Sequence, residues 1–253
     1  MIVDLEKIFK QYVTAYLVKN KGKIDADKIQ DVKTELYISF QDTAFDELDG
    51  LTPNTYYDDK TNLLEQILKG HLDSGVKVND YLIDALKRNL SKDKTLEFIN
   101  SADDRLVKIG LEIAQFNGAE ITDNRLIGLL FDKNSSQDTK ELAAIILKGL
   151  GCSAVNKLID KCLAEDNVSG VLCDIIAGTT YKRDDVTQLL LTSLNKNLDS
   201  VPEFCSYLSR HGDESALDSL CALAKTVTDK IALKELFMTI EALGGDIDSI
   251  KKY

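Results

Sequence analysis

The sequence predicts an all-α protein built from stacked helical hairpins, a quasi-one-dimensional solenoid. Three observations carry that expectation. Glycine-marked breaks recur at Gly118, Gly151, Gly178, Gly212 and Gly245, with gaps of 33, 27, 34 and 33 residues, and each break separates two apolar patterns of helical period. Only two prolines, Pro53 and Pro202, interrupt 253 residues, so long helices are permitted nearly everywhere. The apolar residues, dominated by Leu, recur at spacings of three and four rather than alternating, and no segment reads as a strand.

The first hundred residues read as less regular helices. Residues 2 to 19 place Ile2, Leu5, Ile8, Phe9, Tyr12, Val13, Tyr16 and Leu17 on one stripe. Lys19-Asn20-Lys21-Gly22-Lys23 stops that helix with cations and a glycine. A second helix fits 25 to 40, with Ile29, Val32, Leu36 and Phe40 on one face. Asp49-Gly50-Leu51-Thr52-Pro53-Asn54 reads as a loop closed by Tyr56 and Tyr57. A third helix, about 58 to 73, turns Leu63, Leu64, Ile67, Leu68 and Leu72 inward. A fourth, about 79 to 89, uses Tyr81, Leu82, Ala85 and Leu86, and a short one spans 92 to 99.

The repeats become clear at Ser101. Ser101 reads as an N-cap with acidic Asp104 at N3. Leu106 to Ala114 follow, and Asn117-Gly118 stops the helix. Its partner, about 122 to 131, buries Leu126, Ile127, Leu129 and Leu130. In the next hairpin Asp138 leads into Leu142, Ala143, Ile145, Ile146 and Leu150, and Ala154 to Leu163 return. The third uses Val171 to Ile176, then Val186 to Leu194. The fourth opens on Ser200-Val201-Pro202-Glu203, read as a capping box with proline in the first turn, and returns through Leu217 to Leu223. The fifth starts near Asp229, turns at Gly244-Gly245 and ends in a short helix to Tyr253. The expected organisation is one elongated domain, 1–253, with irregular helices over 1–100 and repeats over 101–253. The charged first helix and the short last one would shield the ends of the stack.

The segment Asp138-Thr139-Lys140-Glu141-Leu142-Ala143-Ala144-Ile145-Ile146-Leu147-Lys148-Gly149-Leu150-Gly151, followed by Ala154-Val155-Asn156-Lys157-Leu158-Ile159, resembles a HEAT repeat, and armadillo-type stacking is nearly equivalent. The resemblance covers about residues 101 to 253 and weakens away from this hairpin. Most hairpins lack the family's A-helix proline, and its Asp and Arg ladder is mostly absent. The resemblance implies a right-handed α–α superhelix with B helices lining a concave face.

Composition narrows the function. The formal net charge is −11, and Lys and Arg are scattered among more numerous acids, whereas phosphate-backbone binding needs a basic stripe. Nucleic acid and anionic membranes are disfavoured, while an acidic groove would suit a basic partner. The five cysteines, an odd number with no CxxC pair, read as small buried thiols of a reducing compartment. The charged, amphipathic start is not a signal peptide, and no apolar run approaches the ~20 residues that span a bilayer. The expected location is the cytoplasm.

Little in the sequence reads as chemistry. His71 and His211 have no His or Cys neighbour at ligand spacing, and each reads as a helix C-terminal residue. Gly149-Leu150-Gly151 is a turn, lacking the strand and third glycine of a dinucleotide site. The acidic pairs Asp58-Asp59, Asp103-Asp104 and Asp184-Asp185 fall at helix starts, where capping explains them. Neither a catalytic group, a cofactor site nor a metal site is therefore assigned. Bacterial DNA glycosylases built on HEAT-like repeats share the length and stacking. They need aromatic walls and cations on the DNA backbone, and this chain has no Trp and is acidic. Bilin lyases lack support, and HEAT-like iron hydroxylases need His-Glu motifs that do not occur.

Surface remains. Aligning the B helices on Leu126, Leu158, Leu189 and Leu220 puts Asn124 and Arg125, Asn156 and Lys157, Thr187 and Gln188, and Asp218 and Ser219 in one register. In a stack these form a polar ladder, either a binding face or an ordinary solvated one. Tyr56 and Tyr57 are the second candidate, since tyrosines suit interfaces and equally suit a loop tucked onto its own core. The leading expectation is a non-enzymatic scaffold or adaptor binding a protein or peptide, by analogy at the level of the fold. The alternatives are a glycosylase-type nucleic-acid enzyme and a structural, self-assembling subunit. No feature sets an oligomeric state.

Overall fold

A computed structural model describes residues 2–21, 29–165, 168, 170–248 and 250. The described residues form fifteen α-helices, joined by short turns and 3-10 segments, and no strand beyond one isolated bridge between Phe45 and Leu51. Among the described residues no helix is long and apolar enough to cross a membrane. The chain divides into two compact units, Met1–Glu120 and Ile121–Tyr253. The dividing line falls within what the sequence reads as the first clear hairpin.

In the first unit α1 (Leu5–Lys19) is capped by Asp4, whose carboxylate accepts from the Lys7 N–H at 2.9 Å. It packs on α2 (Ile29–Gln41) through perpendicular and tilted contacts among Phe9, Tyr12, Phe40 and Phe45. The start expected for α2, 25 to 28, and the Gly22-Lys23 stop lie outside the described residues.

The expected loop at 49–57 is in part a helix. Asp49 and Gly50 take left-handed φ of 58° and 77° and close the turn between Phe45 and Leu51. Thr52 then opens α3 (Pro53–Tyr56), with a Thr52–Thr55 capping box and proline in the first turn. A 3-10 segment, Asp58–Leu63, leads into α4 (Leu64–Ser74). Leu63, expected inward, is half exposed because that segment is not α-helical.

The helices α5 (Asp80–Asn89), α6 (Lys92–Ile99) and α7 (Asp104–Asn117) follow, capped by Asn79, Ser91 and Asp103. Asp103, not Ser101, caps α7; Ser101 instead accepts from the Asp103 N–H. His71 lies in the last turn of α4, as expected, and is fully buried there, its Nδ1 3.2 Å from the Lys77 carbonyl.

In the second unit α8 (Asp123–Phe131) packs on α9 (Gln137–Gly149), and α10 (Cys152–Ala164) folds back on α9. Then come α11 (Gly170–Ile176), α12 (Arg183–Lys196), α13 (Val201–His211), α14 (Leu217–Ala224) and α15 (Lys230–Ala242). Besides packing between helices adjacent in sequence, helices also meet the next but one. α9 meets α11, α11 meets α13 and α13 meets α15, while α10 meets α12 and α12 meets the 3-10 turn Glu214–Ala216 that opens α14. Two layers of alternate helices result, the arrangement that neighbouring hairpins produce and one compatible with a helical repeat.

The turn glycines divide the work. Gly151 takes φ 92° before α10, a conformation costly for a residue with a Cβ. Gly244 takes φ 87°, whereas a Cβ on Gly245 would meet Ile240 at 2.6 Å and Leu217 at 2.8 Å. One glycine serves the turn, the next the close approach.

Ser136 caps α9. Two local expectations shift. Ser200 makes no side-chain cap to α13 because it closes a 3-10 turn, Leu198–Ser200. The inward face of α9 is Thr139, Ala143, Ala144 and Leu147, so Ile145 and Leu150 point outward. The two alanines let α9 approach its neighbours closely, and that proximity overrides the larger apolar side chains. Of the segment expected as a short final helix, Asp246–Asp248 and Ile250 are described and form no helix, and the rest lies outside the described residues.

Candidate functional site

The candidate site lies on the α9–α11–α13 layer of the second unit. α11 has 7 residues against 13 in α9 and 11 in α13, so the middle of the layer is recessed. Across that recess Lys148 donates to Asp174 at 2.5 Å, and Arg210 donates to Asp174 Oδ1 at 3.0 Å and to its carbonyl at 2.6 Å. One carboxylate therefore ties three helices together. Burial raises the Asp174 carboxyl, but Lys148 and Arg210 outweigh that and hold it below the usual carboxylate value.

Arg210 continues the network. Its guanidinium stands 5.7 Å from the centre of the Tyr207 ring, and the Tyr207 hydroxyl donates to Glu203 at 2.5 Å. Burial, with the Glu203 carboxylate beside it, pushes the Tyr207 phenol up. Glu203 packs against Gly170, where a Cβ would come within 2.8 Å of its carboxylate. On one side of the bridge is a recess of about 530 Å³ bordered by Ile145, Val171 and Tyr207; on the other is one of about 480 Å³ bordered by Cys152, Val155 and Thr179. Ile145 is 59% exposed and Leu150 49%. The charges are satisfied by one another while apolar side chains remain in water.

The expected polar ladder on the other layer is only partly surface. Asn124, Lys157, Gln188, Asp218 and Ser219 are exposed, and Arg125 and Asn156 are half-buried. Thr187 is fully buried and is a correction: its hydroxyl bonds to the Arg183 carbonyl at 3.0 Å and to the Asp213 carboxylate. Lys157 bonds to Asp123 on α8 at 2.5 Å. Lys182 bonds to Asp160 on α10 at 2.6 Å, and Arg183 donates to the Gly212 carbonyl and, at 3.2 Å, to the His211 carbonyl. Side-chain bonds thus link α8, α10 and α12 along this side of the second unit, and α12 to the end of α13.

Tyr56 and Tyr57 are a second correction. They are 1% and 2% exposed, pack edge to face, and belong to the first unit's core. Burial pushes the Tyr57 phenol up to about 12, and its oxygen accepts from Asn79 at 2.8 Å, steadying the residue that caps α5. Both are support, not surface.

Lys148, Asp174, Arg210 and Ile145 escape sequence reasoning. The cations sit in last helical turns, where the helix dipole already accounts for them, and Asp174 is one acid among many. The signal available is that the cations close alternate helices of one layer.

Among the thiols, burial pushes Cys162 and Cys173 up to about 12 and Cys205 to about 11, far from the thiolate a nucleophile requires. Among the described residues no three His, Cys, Asp or Glu side chains converge as a metal site would need. No protein-family model, no curated protein and no solved structure matches the chain.

Proposed function

We propose that this chain is a non-enzymatic, cytoplasmic scaffold that binds another protein. In this reading residues 121–253 are HEAT-like hairpins wound as a right-handed α–α superhelix, and the partner docks on the α9–α11–α13 layer. The observation that carries it is the exposure of Ile145 at the edge of the recess beside the Lys148–Asp174–Arg210 bridge. Apolar side chains left in water around an ordered, self-paired charge cluster have the make-up of a binding surface: area to bury, and charges already fixed in place. Five free thiols agree with a reducing compartment. The step from repeat to scaffold is analogy at the level of the fold.

The test replaces Ile145→Lys. Ile145 is not core, so the change shifts stability by at most about 0.5 kcal/mol. Affinity purification from the native lysate recovers a partner with the wild type and loses it with the variant. A partner retained by that variant but lost by Arg125→Glu with Lys157→Glu moves the site to the α8–α10–α12 layer, and no partner with either protein ends the scaffold reading. A second reading, self-assembly, draws on Ile231 and Met238, 68% and 53% exposed two turns apart on α15. Light scattering over a concentration series separates it from a monomeric adaptor.

A further inference from the structure

A different cleft, in the first unit, has chemistry of its own. About 200 Å³ in volume, it is walled by Phe9, Tyr37, Phe40 and Tyr81 and rimmed by Asp4, Glu6, Asp80 and Lys77. Phe9 is perpendicular to Tyr37, with ring centres 5.4 Å apart, and also meets Phe40 edge to face at 5.1 Å. The rings thus form a corner rather than a flat stack, and a corner presents aromatic faces from two directions. Such faces carry negative partial charge and attract cations.

The rim agrees with the walls. Asp4 is occupied as the cap of α1, and Glu6 pairs with Lys10 at 2.7 Å. Asp80 makes no ion pair among the described residues and is exposed. Lys77 offsets one of the three carboxylates, leaving the rim acidic. The Tyr81 hydroxyl is buried beside Tyr37 and Gln41, so this side chain offers the cleft its ring and not its oxygen. The same side chain borders a second recess of about 260 Å³ with Gln41 and Asp84, so space for a ligand's stem continues past the rings.

We propose that the Phe9–Tyr37–Tyr81 cleft is a binding site for a primary alkylammonium group, the side chain of a lysine on a partner polypeptide. The aromatic corner receives the charge and the methylene stem, and Asp80 pairs with the ammonium. An arginine would bring a wider, planar head into a small corner, and a neutral chain would leave Asp80 unpaired. The site shares no residue with the α9–α11–α13 layer, so either reading can fail while the other stands.

The experiment is a heteronuclear NMR titration of the full chain with n-butylammonium chloride, n-butanol and sodium chloride. Butylammonium gives saturable shifts at residues 4–9, 37–41 and 77–81. Sodium chloride gives none there, and butanol binds more weakly. Tyr37→Leu, a half-exposed position, weakens butylammonium about three- to thirtyfold, and Asp80→Asn weakens it while leaving butanol unchanged. An acetylated, amidated Gly-Lys-Gly peptide binds at least as tightly as butylammonium, and its Gly-Gln-Gly counterpart does not bind. Butanol matching butylammonium, or both variants binding as wild type does, overturns the cation site. Butylammonium binding without the lysine peptide overturns the polypeptide source.

Discussion

The same substitution, glycine to alanine inside a helix, is expected to act in opposite directions in the two units. Gly110 lies in the middle of α7 against α6. A Cβ there would stand 2.9 Å from Phe98 Cβ, 2.9 Å from Ile99 Cγ1 and 3.0 Å from the Ile99 backbone nitrogen. Two of those atoms are anchored to the main chain, so relief requires α6 to move, not a rotamer to change. Overpacking of this kind costs about 1–3 kcal/mol, here toward the upper end. Replacing a mid-helix glycine returns about 1 kcal/mol through helix propensity and reduced unfolded-chain entropy. The net for Gly110→Ala is a loss of about 1–2 kcal/mol. Gly128, inside α8, has nothing within 4 Å of a built Cβ, and only the gain remains, about 0.5–1 kcal/mol. Urea denaturation with unchanged slope reads the sign directly as a shift in midpoint, and thermal midpoints move about 2–4 °C per kcal/mol for a chain of this length. A Gly110→Ala protein more stable than wild type would refute the close α6–α7 approach and the packing role assigned to this glycine.

The remaining expectations concern the second unit. His211 is 7% exposed, with Nδ1 3.3 Å from the Ala177 carbonyl and Nε2 3.0 Å from the Arg183 carbonyl; His211→Ala should cost about 2–4 kcal/mol and His211→Gln less, measured by urea unfolding. Asp174 has a lowered pKa, so its contribution is present above its unfolded value, near 3.8, and is lost as pH falls through the folded one. The melting difference between wild type and Asp174→Asn should therefore hold steady from neutral pH down to about 5 and shrink below about 4, and a difference that persists in acid would contradict the bridge. Leu158 is fully buried, so Leu158→Ala should cost about 2–5 kcal/mol. The neighbouring Lys157→Glu replaces a surface ion pair with Asp123 by a like-charge contact, a smaller loss than that of a buried leucine, and equal losses in calorimetry would mean that α10 is rotated.

Helices were the legible part, because burial against a neighbour imposes a period that survives in the sequence. α5, α6 and α8 fall within a residue or two of their expected bounds. Faces were less legible where apolar residues go all the way round. From Leu142 to Leu147 every residue is apolar, so periodicity cannot choose a side, and Ala143 and Ala144 win by allowing close approach. The segment 52–57 was misread for a different reason. Thr52-Pro53 looks like loop composition, yet threonine followed by proline and a second threonine at N3 is also how a helix begins. Once that short helix forms, Tyr56 and Tyr57 have a rigid platform from which to reach the core.

The polar ladder carries the more general lesson. Its positions were chosen because they recur at one register in every hairpin. In a stack, though, each hairpin's nearest neighbour is another hairpin, so whatever recurs is first of all available for holding hairpins together. Thr187 with Asp213, Lys157 with Asp123 and Lys182 with Asp160 are that use. A partner other than another hairpin needs something the stack does not consume, and such residues break the register instead of keeping it. Ile145 is apolar where a solvated helix face calls for a polar side chain, and it borders the recess over the short α11. The search for a binding site in an all-helical chain of this kind therefore belongs where an exposed apolar side chain meets a recess, and on the α9–α11–α13 layer the two coincide.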